Sequence, residues 1–514
     1  MLIALILSIG FSLAVGILAA RNRKAESVII PLLDIFQSVP ILGFFPFVIL
    51  GIVAFIPSAL GVNIGIIFLI FTSMSWNITF AVYESVKSIP QDYIDLSSIT
   101  GSSGWQRITS VYVPASLSRI AYNSQISWSV GLFYLVSSEV LTLGNKNLTT
   151  LYHIQGIGTA IIDYASSGNI ADYLYAFLAF ILAVIVWQFV FLREFALWAE
   201  KYKFVEEPRP VRRDPLMRFY SWVNHRSISK LFLMTHGSGV SRFTSTITRF
   251  GRGIKYSILI SFLVFVLFEI GAIIFTGHTG LSGLPPVSQV LSDETKVIVA
   301  LAYSFVRIWY VYFICVLVSV PIGIVIALNT RLYDAASPAL QVVASIPAPM
   351  LLPLLVIYVT TNGEAIAAMV IFLGMIWYVI FNVIAGIRSL PAELWELRKE
   401  FRVSTLQAWR NVYLPAIAGA FVTGSITAIG AAWNTLIVAE YFVANNTQGT
   451  STLYTQVNVG IGKTIDLAAQ NQPQADLFTL TLAVLSMTAL IIAFNLIVWR
   501  RVYHYVTSRY AYNR

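Results

Sequence analysis

Charged residues are scarce in this chain. They make up 11% of its 514 residues, whereas hydrophobic residues make up 57%, and a soluble globular protein carries about 25% charged residues. The length alone would suggest several soluble domains. The composition excludes that reading and indicates a polytopic membrane protein with an all-α fold.

Cysteine is nearly absent as well. The single cysteine, Cys315, lies in an apolar run, which excludes a disulfide framework, a C-x-x-C site and a thiolate metal cluster. The histidines are scattered along the chain, at positions 153, 225, 236, 278 and 504. Without clustered histidines or acids in the apolar runs, an integral membrane enzyme is disfavoured.

Long apolar runs are abundant. A helix that crosses a bilayer needs roughly 17 to 25 mostly apolar residues. The sequence predicts about eleven such helices, near 2–20, 35–57, 64–83, 120–143, 172–192, 254–275, 305–328, 342–359, 364–385, 417–440 and 477–499. The first run has neither a basic n-region nor a small-residue cleavage site, so we interpret it as a retained helix and not as a signal peptide.

Basic residues concentrate on one side of these predicted helices. They follow the first helix at 21–24, and thirteen Lys or Arg lie between Arg193 and Lys255. The opposite segments, near 144–171, 276–297 and 441–476, hold one lysine each. By the positive-inside rule the basic side is the cytoplasm. The net charge of +9 then reflects topology and contact with anionic lipid, and not nucleic-acid binding.

The chain contains an internal repeat. A shift of 307 residues superposes Gly16 on Gly323, Pro31 on Pro338, Pro40 on Pro347 and Pro46 on Pro353, and a shift of 301 superposes Ser88 on Ser389, Pro114 on Pro415 and Glu139 on Glu440. Both halves have the same charge orientation, which predicts a parallel repeat about an axis along the membrane normal. A pseudo-two-fold pore is the expected consequence.

The repeat and one polar stretch divide the chain into three predicted parts. Residues 1–199 form a first transmembrane unit, residues 200–252 a basic cytoplasmic linker that contains three prolines, and residues 253–514 a second transmembrane unit. Because Met1 aligns with Ile308, the first unit has five helices and the second has six. Either the amino-terminal helix is absent or the assigned start is too late.

A polar loop of one design occurs in both halves. An acid is followed by a glycine position and, further on, by an apolar residue and a proline. These positions are Asp95, Leu96, Ser97, Gly101, Val111 and Pro114 in the first half, and Glu396, Leu397, Arg398, Arg402, Val412 and Pro415 in the second. A glycine permits a tight turn between two short helices, and a proline is tolerated in the first turn of the next helix. The alternative reading is an ordinary amphipathic loop at the membrane surface.

The loop resembles the E-A-A, G, I-x-L-P coupling loop of ABC importer permeases. Further residues make the chain similar to the nitrate/sulfonate/taurine/bicarbonate group of these permeases. They are Ser304, Arg307, Gly323, Pro338, Ile346-Pro347, Leu352-Pro353-Leu354, Pro391, Trp433-Asn434, Ala439-Glu440, Gly460-Ile461-Gly462 and Ile465. Apart from the linker, the whole chain resembles two such permeases fused.

The resemblance implies a binding-protein-dependent importer in the plasma membrane of a prokaryote. A solute-binding protein outside the cell would deliver a small anion or related nutrient, and two cytoplasmic ABC ATPase subunits would dock on the coupling loops. The chain itself would be no enzyme and would bind no cofactor, since the ATPase subunits hold ATP and Mg. It would act as a pseudo-dimer without a second permease copy. The distribution of basic residues places its amino end outside and its linker and carboxyl end in the cytoplasm.

The chain encodes no credible ATPase motif of its own. Gly462-Lys463-Thr464 superficially resembles the end of a P-loop, but the glycine required five residues earlier is Val457. A separate ATPase is therefore needed for an importer.

The second loop departs from the family pattern. Arg402 occupies the glycine position, and Arg398 and Lys399 occupy positions of small residues. We therefore expect two inequivalent coupling loops, which meet two different ATPases or bind one type with unequal strength.

Six residues are candidates for the translocation path or its gate. They are Glu139, Glu440, Asn434, Trp433, Pro40 and Pro347. An acid at membrane depth is costly unless it is paired or hydrated, so Glu139 and Glu440 either face the path or hydrogen-bond neighbouring helices. The prolines break helical hydrogen bonding and lie either along the path or at packing kinks. Arg307, near the outer end of its helix, either attracts an anion or, as we expect, reaches the membrane interface.

A secondary transporter with parallel repeats is the rival function. It would couple transport to protons through Glu139 and Glu440. Such a transporter has no need for two surface loops of the coupling design, and the repeated loop therefore favours the importer.

Overall fold

The structure is a computed structural model that describes residues 1–38, 40–144, 156–202, 287–359, 361–390, 405–445, 452–470 and 476–510. Its chain falls into two compact units. The bundle unit comprises Met1–Lys87, Arg119–Trp198 and Ser282–Arg514, and the loop unit comprises Ser88–Ser118 and Ala199–Leu281.

The first half is helical throughout its described residues. Its helices are α1 (Leu2–Arg21), α2 (Arg23–Ser38), α3 (Ile41–Phe55), α4 (Ala59–Lys87), α5 (Gln91–Ile99), α6 (Gly104–Arg107), α7 (Val113–Gly144), α8 (Ile157–Ser166), α9 (Ile170–Val186) and α10 (Arg193–Glu200). Single π-helical turns, Ile108–Tyr112 and Trp187–Leu192, lead into α7 and α10.

The described elements of the second half follow the same order and include a small β-ribbon. Its elements are α11 (Val287–Leu328), α12 (Thr330–Ala344), a 3₁₀ turn (Ala348–Leu351), α13 (Leu352–Leu354), a π turn (Leu355–Val359), α14 (Gly363–Arg388), α15 (Thr405–Ala408), a π turn (Trp409–Tyr413), α16 (Leu414–Glu440), β1 (Tyr441–Asn445), β2 (Thr452–Gln456), α17 (Ile461–Gln470), α18 (Leu477–Phe494), a π turn (Asn495–Trp499) and α19 (Arg500–Tyr510). The strands pair antiparallel, with Tyr441 opposite Gln456.

The predicted helical membrane fold is confirmed. Among the described residues, seven helices are long and apolar enough to cross a membrane: Leu2–Arg21, Ala59–Lys87, Ile170–Ala199, Glu294–Leu328, Gly363–Arg388, Trp409–Glu440 and Phe478–Tyr503. The pair Thr330–Ala344 and Ala348–Val359, bent by 80°, gives an eighth if it is one span. The count of about eleven stays a prediction, and the predicted helix 254–275 lies outside the described residues.

Two predicted spans are broken by proline. The run predicted at 35–57 divides into α2, which ends at Ser38, and α3, which begins after Pro40. The run predicted at 342–359 is interrupted at Pro347, which precedes the 3₁₀ turn. A proline disfavours helical backbone at the residue before it, so each apolar run is divided between helical elements and is not one straight helix.

The two halves pack in the same way at equivalent glycines. A Cβ atom on Gly16 would lie 2.8 Å from Cβ of Val82, and one on Gly323 would lie 2.8 Å from Cγ1 of Val383. The first pair joins α1 to α4, and the second joins α11 to α14. Small residues allow such close approach of membrane helices. The sequence repeat is thus also a repeat of helix packing.

Buried hydroxyl groups connect α1 and α4. Oγ1 of Thr79 donates to Oγ of Ser12 over 2.9 Å, and Oγ of Ser12 donates to the carbonyl oxygen of Ser75 over 3.1 Å. All three side chains are buried. Hydrogen bonds between membrane helices contribute about 0.6 kcal/mol each, so this cluster adds modestly to the glycine packing.

Candidate functional site

The first predicted coupling loop consists of two short helices joined at a left-handed glycine. Helix α5 ends at Ile99, and Gly101 has a φ of 69°, a conformation that favours glycine. Helix α6 then begins with a capping box, in which Ser103 and Gln106 each accept a hydrogen bond from the other's backbone nitrogen, over 3.2 and 2.7 Å. The end of α5 and the start of α6 are therefore both determined by local sequence.

Helix α5 presents apolar side chains to its surroundings. Tyr93, Leu96 and Ile99 are 49%, 59% and 83% exposed. Their three-residue spacing places them along one side of a helix. Asp95 is also exposed, and its carboxylate accepts a hydrogen bond of 3.0 Å from the Gln91 amide. Exposed apolar patches of this kind mark interaction surfaces.

Of the other predicted loop residues, Ser97 lies within α5, and the rest lie near the start of the following helices or outside the described residues. Ser97 and Val111 are partly buried, and Pro114 follows the first residue of α7. In the second half, Val412 belongs to the π turn and Pro415 follows the first residue of α16. The remaining predicted positions, Glu396, Leu397, Arg398 and Arg402, lie outside the described residues.

Glu440 binds the start of helix α17. Its Oε2 accepts a hydrogen bond of 2.7 Å from the backbone nitrogen of Gly462, and the amino end of a helix favours a negative charge. A Cβ atom on Gly460 would overlap the Glu440 carboxylate. The glycine-x-glycine sequence at this helix start therefore makes room for the acid.

Arg307 joins three parts of the second half through two ion pairs, of which the one with Glu440 is buried. Its Nη1 pairs with Oε1 of Glu440, and its Nε and Nη2 lie 3.0 and 2.7 Å from Oε2 of Glu364. Nη2 also donates to the carbonyl oxygen of Val459 over 3.1 Å, and Ser304 donates to Oε1 of Glu440 over 2.5 Å.

The expectation that Arg307 reaches the membrane interface is wrong. Its side chain is 3% exposed and that of Glu440 is 0% exposed, while that of Glu364 is 38% exposed. Two carboxylates satisfy the guanidinium inside the protein, so it need not extend to water. The sequence repeat could not reveal Glu364, because it emphasised residues shared by both halves.

Glu139 makes the equivalent contact in the first half. Its Oε2 accepts hydrogen bonds from the backbone nitrogens of Gly158 and Thr159, over 2.6 and 3.4 Å, at the start of α8. A Cβ atom on Gly156 would overlap this carboxylate. Glu139 is 6% exposed. Both halves therefore use a buried glutamate to hold the start of a short helix.

A further buried acid lies on α17. Asp466 is 6% exposed, and its Oδ2 has no hydrogen-bond partner among the described residues. Burial raises the pKa of the Asp466 carboxyl well above its usual range, and the Glu440 charge raises it further. An acid that is costly to ionise in the folded state lowers stability as pH rises, because the unfolded chain releases its proton first.

Asp466→Asn should therefore stabilise the protein at neutral pH. The gain in free energy of unfolding should be present at pH 7 and disappear below about pH 4, where the unfolded carboxyl is also protonated. Thermal unfolding of the detergent-purified chain, followed by tryptophan fluorescence at both pH values, measures this. Asp334→Asn, at an exposed position, is the matched control. Equal effects of the two substitutions would contradict the prediction.

The bundle unit contains a cavity of about 720 Å³. Residues of both halves line it, including Trp433, Asn434 and Pro347 from the predicted path residues. Oδ1 of Asn434 accepts a hydrogen bond of 3.2 Å from the backbone nitrogen of Leu42, and Ser129 and Ser345 are hydrogen-bonded across 2.7 Å. These contacts connect the two halves beside the cavity.

The other predicted path residues lie elsewhere. Pro40 is buried and precedes α3, and Glu139 and Glu440 hold helix starts. None of these three is among the residues that line the cavity.

Two equivalent helical halves around a shared cavity define a polytopic membrane protein suited to conducting a solute. The sequence model of the family described as "binding-protein-dependent transport system inner membrane component" matches residues 12–197 and again residues 319–510. The chain therefore belongs to this family and contains two copies of its membrane component. It is a permease subunit, and such subunits are not themselves enzymes.

Similar proteins are permease subunits of several importers. The chain is 25% identical over 205 residues to the nitrate import permease protein of Leptolyngbya laminosa. The aligned region covers 37% of the chain and 72% of that protein. It is 28% identical over 177 residues to the taurine transport system permease protein of Escherichia coli strain K12, an alignment that covers 32% of the chain and 64% of that protein. It is 28% identical over 137 residues to a bicarbonate transport system permease protein of Synechococcus elongatus, covering 27% and 49%. Two of these three matches span less than two thirds of the relative.

Proposed function

We propose that this chain forms the translocation path of an ABC importer, driven by separate ATPase subunits that dock on two coupling loops. The observation that carries the proposal is helix α5, which presents Tyr93, Leu96 and Ile99 next to the Gly101 turn. A second loop of the same design follows in the other half of the sequence. An importer pore without its own ATPase needs such a surface in each half.

The proposed partners are two cytoplasmic ABC ATPase subunits and an extracytoplasmic solute-binding protein. Since the chain contains two membrane components, it acts as a pseudo-dimer without a second permease copy. ATP and Mg are bound by the ATPase subunits. The names of the relatives support a solute of the nitrate, sulfonate or bicarbonate class or a related nutrient.

The proposed location is the plasma membrane of a prokaryote. The permease units are residues 1–199 and 253–514, and the linker 200–252 and the carboxyl end face the cytoplasm with the basic loops. The amino end faces outward. The positive-inside distribution of Lys and Arg supports this orientation.

Glu139 and Glu440 are proposed as structural anchors for α8 and α17 and not as proton-coupling groups. Each carboxylate is held by backbone nitrogens at a helix start, and neither lines the cavity. A proton-coupled transporter needs acids that exchange protons with the path, so this geometry favours the importer over the secondary transporter.

Leu96→Asp should uncouple the chain from its ATPase. It places a charge in the centre of the exposed apolar side of α5, where loss of a central contact costs about 2 kcal/mol, or roughly 30-fold in affinity. Copurification with the ATPase subunits and solute-stimulated ATP hydrolysis measure the loss. Ser110→Asp, at an exposed position in the same loop unit, adds the same charge away from α5 and should leave both unchanged. Equal effects of the two variants would contradict docking on α5.

The two coupling loops are proposed to be inequivalent. Gly101→Arg should reduce coupled ATP hydrolysis, because a residue with a φ of 69° is strained with any other side chain by about 1 kcal/mol or more. Arg402→Gly should have a smaller effect, because that loop already functions with arginine at the equivalent position. ATP hydrolysis by the purified complex measures both, and equal effects would refute inequivalence.

A further inference from the structure

We propose that the cavity binds an organic solute with a flat, unsaturated ring, a hydrogen-bonding group and at most one negative charge. Small inorganic anions would bind it poorly. This proposal rests on the proposed function and narrows it: of the solutes named there, it favours an organic sulfonate or a related organic nutrient over nitrate and bicarbonate. It concerns the bundle unit alone.

Equivalent aromatic residues of the two halves line the cavity. Trp76 and Phe80 on α4 correspond to Trp377 and Phe381 on α14 by the 301-residue shift, and all four are lining residues. On each helix the two rings are four residues apart and share one face. The repeat thus supplies an aromatic face to the cavity from each half. Aromatic rings attract other rings in stacked or edge-to-face geometry.

The charge of the wall suits a neutral or singly anionic solute. Arg388 is the one charged residue that lines the cavity in the described part of the chain, and its guanidinium lies 3.9 Å from the centre of the Tyr333 ring. No described carboxylate lines the cavity. An organic cation would therefore meet a positive charge and no compensating acid.

The size of the cavity also favours an organic solute. Its volume of about 720 Å³ falls within the range of roughly 300–1,000 Å³ of sites for small organic ligands. A small inorganic anion cannot contact the aromatic faces of both halves at once, so it would exchange its hydration for few contacts with the wall, which is costly. An organic ring replaces the lost water contacts with apolar contact area.

One buried amide favours a solute with a hydrogen-bonding group. Gln188 lines the cavity and is 6% exposed, and its Oε1 has no hydrogen-bond partner among the described residues. A buried polar atom without a partner is costly. A hydrogen-bonding substituent on the ring would satisfy the amide, which adds specificity to the aromatic contacts.

Direct binding to the full chain tests the proposal. The chain is placed in lipid nanodiscs without ATPase subunits, and saturation-transfer NMR titrations give the dissociation constants of benzenesulfonate, benzamide, methanesulfonate and benzylammonium, with empty nanodiscs as the blank. Benzenesulfonate and benzamide should bind at least about tenfold more tightly than methanesulfonate or benzylammonium. Nitrate should not compete with benzenesulfonate at equal concentration. Equal affinity for methanesulfonate, or competition by nitrate, would overturn the proposal.

Variants of the wall separate its aromatic and charged parts. Trp377→Leu should weaken benzenesulfonate binding about three- to tenfold, whereas Trp377→Phe should retain most of it and so exclude a folding defect. Arg388→Gln should weaken benzenesulfonate about threefold or more and leave benzamide unchanged. Trp198→Ala, which lies outside the cavity lining, is the control. Unchanged binding in Trp377→Leu would overturn the proposal, and failure of ATPase docking would leave this measurement unaffected.

Discussion

Arg307→Ala is expected to destabilise the protein by about 3–5 kcal/mol. The substitution leaves Glu440, with a side chain that is 0% exposed, as a buried carboxylate without its ion-pair partner. Breaking one side of a buried pair costs more than the pair contributes, because the remaining charge cannot be hydrated. The loss should appear as a lower melting temperature of the detergent-purified chain and as poorer recovery of folded protein.

Replacing both partners by uncharged residues should recover much of the lost stability. In Arg307→Met combined with Glu440→Gln, the amide can still accept the hydrogen bond from Gly462, and neither side chain is charged. Glu364 keeps access to water, since its side chain is 38% exposed. The double variant should therefore melt well above the single variant. If Arg307→Ala melts like the unmodified chain, Arg307 does not hold α11, α16 and the start of α17 together.

Gly460→Ala is expected to destabilise the protein by about 3 kcal/mol, at the upper end of overpacking costs. The added methyl group would overlap the Glu440 carboxylate. That carboxylate cannot move away without losing Ser304, Arg307 and the backbone nitrogen of Gly462. Gly156→Ala should have the same direction of effect in the first half, through Glu139. Thermal unfolding of each variant measures the change.

Gly419→Ala is the matched control for these glycine substitutions. It lies inside helix α16, and a Cβ atom there would meet nothing within 4 Å. Replacing such a glycine is expected to be neutral or to stabilise by about 0.4–1 kcal/mol. If Gly460→Ala and Gly419→Ala behave alike, the close approach of glycine and carboxylate does not constrain the fold.

The repeat was predictable because glycines, prolines and acids recur at a fixed shift between the two halves. Gly16 and Gly323 allow equal helix contacts, and Glu139 and Glu440 hold equal helix starts. The turn at Gly101 was likewise expected, since a tight turn between two short helices favours glycine. This turn can be predicted from the sequence because its physical cause lies within a few residues of the chain.

Contacts between distant segments could not be predicted in this way. Glu364 pairs with Arg307 across 57 residues, and Ser304 binds Glu440 across 136 residues, and hydropathy carries no signal of such pairs. The apolar run 35–57 also conceals a helix break at Pro40. The cavity wall depends on which helix faces turn toward one another, so residues such as Gln188 are found only in three dimensions.

The stoichiometry of the purified complex tests the importer account most directly. The tagged full chain is coexpressed with candidate ABC ATPase subunits and purified in detergent, and native mass and ATP hydrolysis are measured. We expect two ATPase subunits on each chain and no second permease copy, with the ATPase lost on deletion of residues 92–105 and 393–406. A chain that purifies without ATPase and carries solute or protons when reconstituted alone would contradict the account.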